Sequence, residues 1–184
     1  MILFLDIDGV LNNTTYPRTV GTVKDFAEFR EDWWEKYDTP YMCPDNIKTF
    51  VNFMKQIQFQ KDKYEKIYCI LSSTWRAGGE DIKEKLNYIF KDFGYDKGDI
   101  ISGRTCKLNV FKNRGEEVQD FLNHLTKYDI ISPIEHDAFN KNYIILDDDN
   151  DFLEEQQSHL FLCDGSTGFT QEIVDRINKW VNVK

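Results

Sequence analysis

The sequence predicts an α/β domain on a doubly wound, mostly parallel sheet, and three observations predict it. Met1-Ile2-Leu3-Phe4-Leu5, Ile67-Tyr68-Cys69-Ile70-Leu71, Tyr143-Ile144-Ile145-Leu146 and Leu160-Phe161-Leu162-Cys163 are short apolar runs of strand length. A strand apolar on both faces belongs in a parallel sheet with helices on either side. Segments with apolar residues at helical spacing fall between these runs, which is the alternation of a doubly wound sheet. The runs stop at acids or hydroxyls: Asp6-Ile7-Asp8-Gly9, Ser72-Ser73, Asp147-Asp148-Asp149 and Asp164-Gly165. In open α/β sheets ligands bind beyond the carboxyl ends of the strands, so these residues are candidate site residues.

Taken in order, the first strand delivers Asp6 and Asp8 to a turn. Strand alternation would face both carboxylates the same way. Two like charges held that close need a cation, a shared proton or a chemical role. Asn12-Asn13-Thr14-Thr15 and Pro17 read as loop. Val23 to Tyr37 reads as a helix with Phe26, Phe29, Trp33 and Trp34 on one side. Strand-to-helix loops usually run about 2–6 residues, so residues 13–42 are expected to form a small cap or lid inserted in a single domain spanning 1–184. Trp33 and Trp34 are expected in the core of that insertion, with stacking on a nucleobase as the alternative.

Pro44 suits the first turn of the next helix, which carries Ile47, Phe50, Val51, Met54 and Ile57 and ends in a solvated lysine-rich stretch, Gln60 to Lys66. Gly78-Gly79 breaks the chain after the second strand, and Ile82, Leu86, Ile89, Phe90 and Phe93 mark another amphipathic helix. Asp99 to Ser102 is a short strand candidate. Val118, Phe121, Leu122 and Leu125 mark a helix opening near Arg114-Gly115-Glu116-Glu117, and Tyr128 to Asn142 reads as loop. After the last apolar run Thr170 caps a final helix with Ile173, Val174, Ile177 and Val181.

Composition narrows the function. With 14 Phe, 9 Tyr and 4 Trp in 184 residues the chain can bury a proper core. A formal net charge of −9 argues against a nucleic-acid coat or an anionic membrane surface as partner. No apolar stretch approaches the length that spans a bilayer. The apolar start has no preceding basic residue and is interrupted by Asp6 and Asp8, so it does not read as a signal peptide. Cys43, Cys69, Cys106 and Cys163 lie far apart with no CxxC pair, which fits a reducing, cytoplasmic setting. His124, His136 and His159 show no ligand spacing, and no stable protein partner is inferred.

The strand ends together hold what phosphoryl transfer needs. One carboxylate can attack phosphorus, and a second can move protons. A hydroxyl and a cationic side chain can hold the nonbridging oxygens. Mg²⁺ can screen the acids from the phosphate. Asp147 to Asp149 alone would read as a strand-end turn; two buried strands ending in acids around a Ser-terminated one point to the catalytic set instead.

Asp6-Ile7-Asp8-Gly9-Val10-Leu11-Asn12 resembles the first motif of the haloacid-dehalogenase-like (HAD) phosphatases. Leu71-Ser72-Ser73-Thr74-Trp75-Arg76, Arg114-Gly115-Glu116-Glu117-Val118 and Tyr143 to Phe152 resemble its later motifs, and Trp75-Arg76 with Arg114-Gly115-Glu116-Glu117 and Gly168-Phe169-Thr170 are similar to the HAD domain of multi-domain RNA-repair proteins. The resemblance implies Asp6 as nucleophile and Asp8 as general acid/base. It implies Mg²⁺ held by the Asp6 side chain, the Asp8 backbone carbonyl and Asp147, with Asp148 or Asp151 in support. The phosphate-binding hydroxyl is Ser72 or Ser73, with strand length favouring Ser72. The basic residue is Arg114, with Lys107 and Lys112 as alternatives, and Arg76 contacts either a substrate phosphate or a surface acid. The implied activity is Mg²⁺-dependent hydrolysis of a phosphomonoester on a nucleic-acid end or nucleotide. The acidic charge keeps a small metabolite or phosphoprotein phosphatase as the alternative. Two other classes, a phospho-acceptor signalling module and a binding protein without turnover, fit less well. In a receiver the acidic pair precedes the acceptor Asp, whereas here Asp-x-Asp leads.

Overall fold

The structure is a computed structural model, and it describes residues 1–59, 66–79, 81–105, 111–125 and 142–183. Cys106, Lys107, His136, nearly all of the lysine-rich stretch and nearly all of the Tyr128–Asn142 loop lie outside the described residues.

Strand β1 (Ile2–Leu5) sits mid-sheet, because its burial is complete on both faces. It pairs in parallel with β2 (Tyr68–Leu71) on one side and β4 (Tyr143–Asp147) on the other. Beyond these lie β3 (Ile101–Arg104) and β5 (Leu160–Leu162), giving the order β3-β2-β1-β4-β5 with every pair parallel. The strand order reverses between β1 and β4. A crevice opens at such a switch point beyond the carboxyl ends of the strands, and it is where ligands of these sheets bind.

Side chains alternate across the sheet. Leu3, Leu5, Cys69, Leu71, Ile144 and Leu146 face one layer of helices: α3 (Pro44–Phe59), α4 (Ile82–Asp92) and α6 (Gln171–Val183). Ile2, Phe4, Ile70, Tyr143 and Ile145 face Val118, Phe121 and Leu122 of α5 (Arg114–Asn123). The doubly wound α/β architecture predicted from the strand pattern is the one observed. Cys43, Cys69 and Cys163 are buried and unbridged. No helix among the described residues is long and apolar enough to cross a membrane.

Between β1 and α3 lie α1 (Tyr16–Thr19) and α2 (Val23–Tyr37). Thr22 and Asp25 form a capping box at the start of α2, and Asp38 ends it in the left-handed region at φ 50°. The Trp33 ring is buried against Phe29 and Tyr37 and donates its Nε1 hydrogen to Thr39 Oγ1 at 3.2 Å. Lys36 Nζ bonds Asp92 at 2.8 Å and Lys85 Nζ bonds Asp38 at 2.7 Å, tying α2 to α4. Trp33 therefore belongs to the core of this segment, as expected, whereas Trp34 remains 56% exposed.

Among the described residues, three short helices escaped the periodicity argument: α1 and the 3-10 segments Thr74–Gly78 and Glu154–His159. Each is too short to display a repeat. Strand β3 also starts later than the Asp99–Ser102 expectation. The Asn87 side chain from α4 accepts from Ile101 N and donates to Ile101 O, fixing the edge strand's entry there.

Candidate active site

The pairing register builds the site. Leu5 pairs with Leu146, so Asp6 and Asp147 follow side by side at the switch point, and Asp6 N donates to Leu146 O at 2.9 Å. Asp6, Asp147 and the exposed Asp148 each bring a carboxylate oxygen to within 4.8 Å of the others. Burial pushes the Asp6 carboxyl up to about 7, reinforced by Asp8 and opposed by Arg114 and a hydrogen bond from Ser73. Burial likewise pushes Asp147 up to about 8, and the charge of Asp6 adds to it. Asp148 is raised too, first by burial. Crowded carboxyls that resist ionisation are what a bound cation relieves.

Gly9 makes this crowding feasible. It sits at φ +69°, and a Cβ there would lie 2.0 Å from Asp148 Oδ2, so a side chain would expel the third carboxylate. Asp151, an alternative supporting acid, does other work: its carboxylate accepts from Arg114 N at 3.1 Å and its carbonyl from Gly115 N, capping α5.

Strand β1 ends at Leu5, so strand alternation does not extend to Asp8. Asp8 is exposed and outside the three converging carboxylates. Its Oδ1 accepts from Asn12 Nδ2 at 2.8 Å and Trp75 Nε1 at 3.0 Å, and its Oδ2 from Thr74 Oγ1 at 3.3 Å. Asn12 Oδ1 in turn accepts from Gly9 N at 2.9 Å. In the sequence Asn12, Thr74 and Trp75 stand out only as parts of motifs. Their donor groups were the available signal, but nothing in their spacing shows them meeting one carboxylate.

Of the two serines, strand length favoured Ser72, and the geometry favours Ser73. Ser73 Oγ accepts from Trp75 N at 3.3 Å, and the Ser73 hydroxyl acts against burial to lower the Asp6 carboxyl. Ser72 Oγ is sealed with no hydrogen-bond partner, and the Ser72 carbonyl accepts from Arg114 Nη1. Arg114 Nη1 also stands 3.5 Å from Asp6 Oδ1. Lys112 is exposed, and Lys107 falls outside the described residues.

Both expectations for Arg76 are corrected. Its guanidinium is buried, bonding Glu117 Oε2 at 2.7 Å and Ser73 O at 2.6 Å. Glu117 is fully buried and also accepts from Thr105. A pair this deep is held only by such multiple hydrogen bonds. It locks the Ser73 turn to α5, the helix that carries Arg114.

The site thus joins a buried carboxylate, a second carboxylate under three donors, a hydroxyl, a guanidinium and an acid cluster. The family described as the HAD domain in Swiss Army Knife RNA repair proteins matches residues 2–174. The chain belongs to that family. No curated protein and no solved structure matches it. As a HAD domain it falls among hydrolases of the phosphatase type, and HAD proteins generally use Mg²⁺. The residues present fit such an ion, because hard divalent cations take carboxylate oxygens and the Asp6–Asp147–Asp148 cluster offers three.

Proposed function

We propose that this HAD domain is a Mg²⁺-dependent phosphomonoester hydrolase working through an aspartyl-phosphate on Asp6, with a nucleic-acid end or nucleotide as substrate. The observation that carries the reading is the convergence of Asp6, Asp147 and Asp148 at the switch point, with Ser73 and Arg114 on Asp6. An Asp6 carboxylate oxygen attacks phosphorus, and the departing ester oxygen takes a proton from Asp8. Asp8 then removes a proton from water, whose oxygen attacks the same phosphorus. Inorganic phosphate leaves and the Asp6 carboxylate is restored. The Ser73 hydroxyl and the Arg114 guanidinium hold the nonbridging oxygens. Asp6, Asp147, Asp148 and the Asp8 carbonyl would hold Mg²⁺, which supplies charge neutralisation between nucleophile and phosphate. Asn12, Thr74 and Trp75 hold the Asp8 carboxylate for proton transfer.

Residues 13–42 act as a small cap within a single domain, anchored to α4 through Lys36, Lys85 and Asp92. A nucleic-acid or nucleotide substrate is favoured by the RNA-repair setting of the family. The acidic chain leaves a small phosphomonoester as the competing substrate.

Phosphate release from 3′- and 5′-phosphorylated oligonucleotides, mononucleotides, sugar phosphates and phosphopeptides, with and without Mg²⁺, tests this. Turnover is expected only with Mg²⁺ and is lost in a folded Asp6→Asn variant. Full activity of that variant contradicts the nucleophile assignment.

A further inference from the structure

A cavity of about 380 Å³ opens beside Asp8, and two indoles line it: Trp34 from α2 and Trp75 from the turn after β2. The orientation of Trp75 is tied to the proposed acid/base, since its Nε1 donates to Asp8 Oδ1 at 3.0 Å. Trp34 is different. Its neighbour Trp33 is 5% exposed and fills the core of the segment, while Trp34 is 56% exposed on a face shared with Ala27, Arg30 and Glu31. Packing gives no reason for an indole there, and exposed tryptophans are characteristic of binding surfaces. Trp34 and Pro40 also line an adjoining cavity of about 680 Å³.

We propose that this cleft binds the nucleobase of the nucleotide whose phosphate is hydrolysed, with Trp34 as its stacking surface and a specificity determinant. The inference deepens the phosphatase reading and rests on it for the position of the phosphate. Asp8 lines the cleft, so a base held there lies beside the group assigned to protonate the departing ester oxygen. Indole faces select a flat ring, and every base has one. The volume lies within the roughly 300–1,000 Å³ of small-molecule pockets, more room than a phenyl ring needs. Thr74, Asp38 and Lys85 line it as well, offering donors and acceptors to the edge of a heteroaromatic ring. A phosphotyrosine ring has no edge groups to use them.

The charges limit how much of a strand is held. Glu31 and Glu35 line the adjoining cavity, and Lys85 is already paired with Asp38 and Asp81. Acids along a groove repel a phosphate backbone. The cleft therefore takes one terminal nucleoside, and the rest of any strand turns away to solvent.

Two measurements on the full chain test this. Adenosine, which has no phosphate, is expected to quench tryptophan fluorescence, while ribose leaves it unchanged. The ratio of kcat/KM for AMP to that for ribose 5-phosphate is expected to fall roughly five- to a hundredfold in Trp34→Ala, the range one lost base–aromatic stack carries. Trp34→Phe is expected to restore most of the ratio. An unchanged ratio in Trp34→Ala, with the far-ultraviolet spectrum intact, overturns the proposal. So does a tyrosine phosphopeptide whose hydrolysis depends on Trp34 while adenosine causes no quenching. Adenosine binding without hydrolysis of any phosphate would refute the phosphatase reading and leave the cleft standing. Hydrolysis with an unchanged ratio would refute the cleft alone.

Discussion

Asp6 and Asp147 carry the heaviest electrostatic load of any residues described at the site. Burial raises both carboxyls, to about 7 and about 8, and each is pushed further by a neighbouring acid. A carboxyl raised on folding binds its proton more tightly in the folded chain than in the unfolded one. Its stabilising contribution is therefore complete below the unfolded value of about 4 and is lost as pH rises through the folded value. For this pair the window runs from about pH 4 to about pH 8. The metal-free protein is expected to lose melting temperature across that window, and Mg²⁺ is expected to restore more of it at pH 8 than at pH 5. Asp147→Asn should flatten the pH slope relative to wild type and remove most of the Mg²⁺ response, as followed by thermal denaturation. A steeper slope in the variant would contradict the assignment. Asp6 and Asp147 were legible in the sequence because they stand at the ends of buried strands, and Asp8 only through the motif it belongs to. The preference for Ser73 over Ser72 was not, since it turns on Ser72 Oγ being sealed without a hydrogen-bond partner once the strand has ended. Arg76 was misread for a related reason: no spacing rule shows that Glu117, on another element, waits to receive it in the interior.

At the level of elements, α5 shows how tightly the site is supported. Its first turn presents Arg114 toward Asp6, and Gly115 lets that turn press on the chain after β4. A Cβ at Gly115 would lie 2.5 Å from Leu153 N and 2.9 Å from Phe152 Cα, both backbone atoms that cannot swing aside. Gly115→Ala is therefore expected to push α5 outward and cost about 1–3 kcal/mol in urea denaturation, the usual penalty for overpacking. The same displacement should lower phosphate release by moving Arg114 away from Asp6. A variant as stable and active as wild type would show that the contact relaxes freely. Helix α2 was placed by its periodicity at Val23–Tyr37, and the same bounds are observed, because fifteen residues give the repeat room to declare itself. The turn Thr74–Gly78 was hidden for the opposite reason, although it delivers both Thr74 and Trp75 to Asp8.

For the whole molecule the decisive feature is strand order. The apolar runs announced a parallel sheet, but periodicity does not say which strands are neighbours. The order β3-β2-β1-β4-β5 puts β4 beside β1, so acids 141 positions apart in sequence meet at one crevice (147 − 6). That meeting was legible only through the resemblance of the motifs to the HAD family, and the match across residues 2–174 agrees with it. Hydrolysis by this route requires that Asp6 become covalently phosphorylated in turnover. The most direct measurement is mass spectrometry of the protein acid-quenched during steady hydrolysis with Mg²⁺. One added phosphoryl group is expected, mapped to the peptide carrying Asp6 and absent in Asp6→Asn. Sustained hydrolysis with no modified protein, or with the group on another residue, would contradict it.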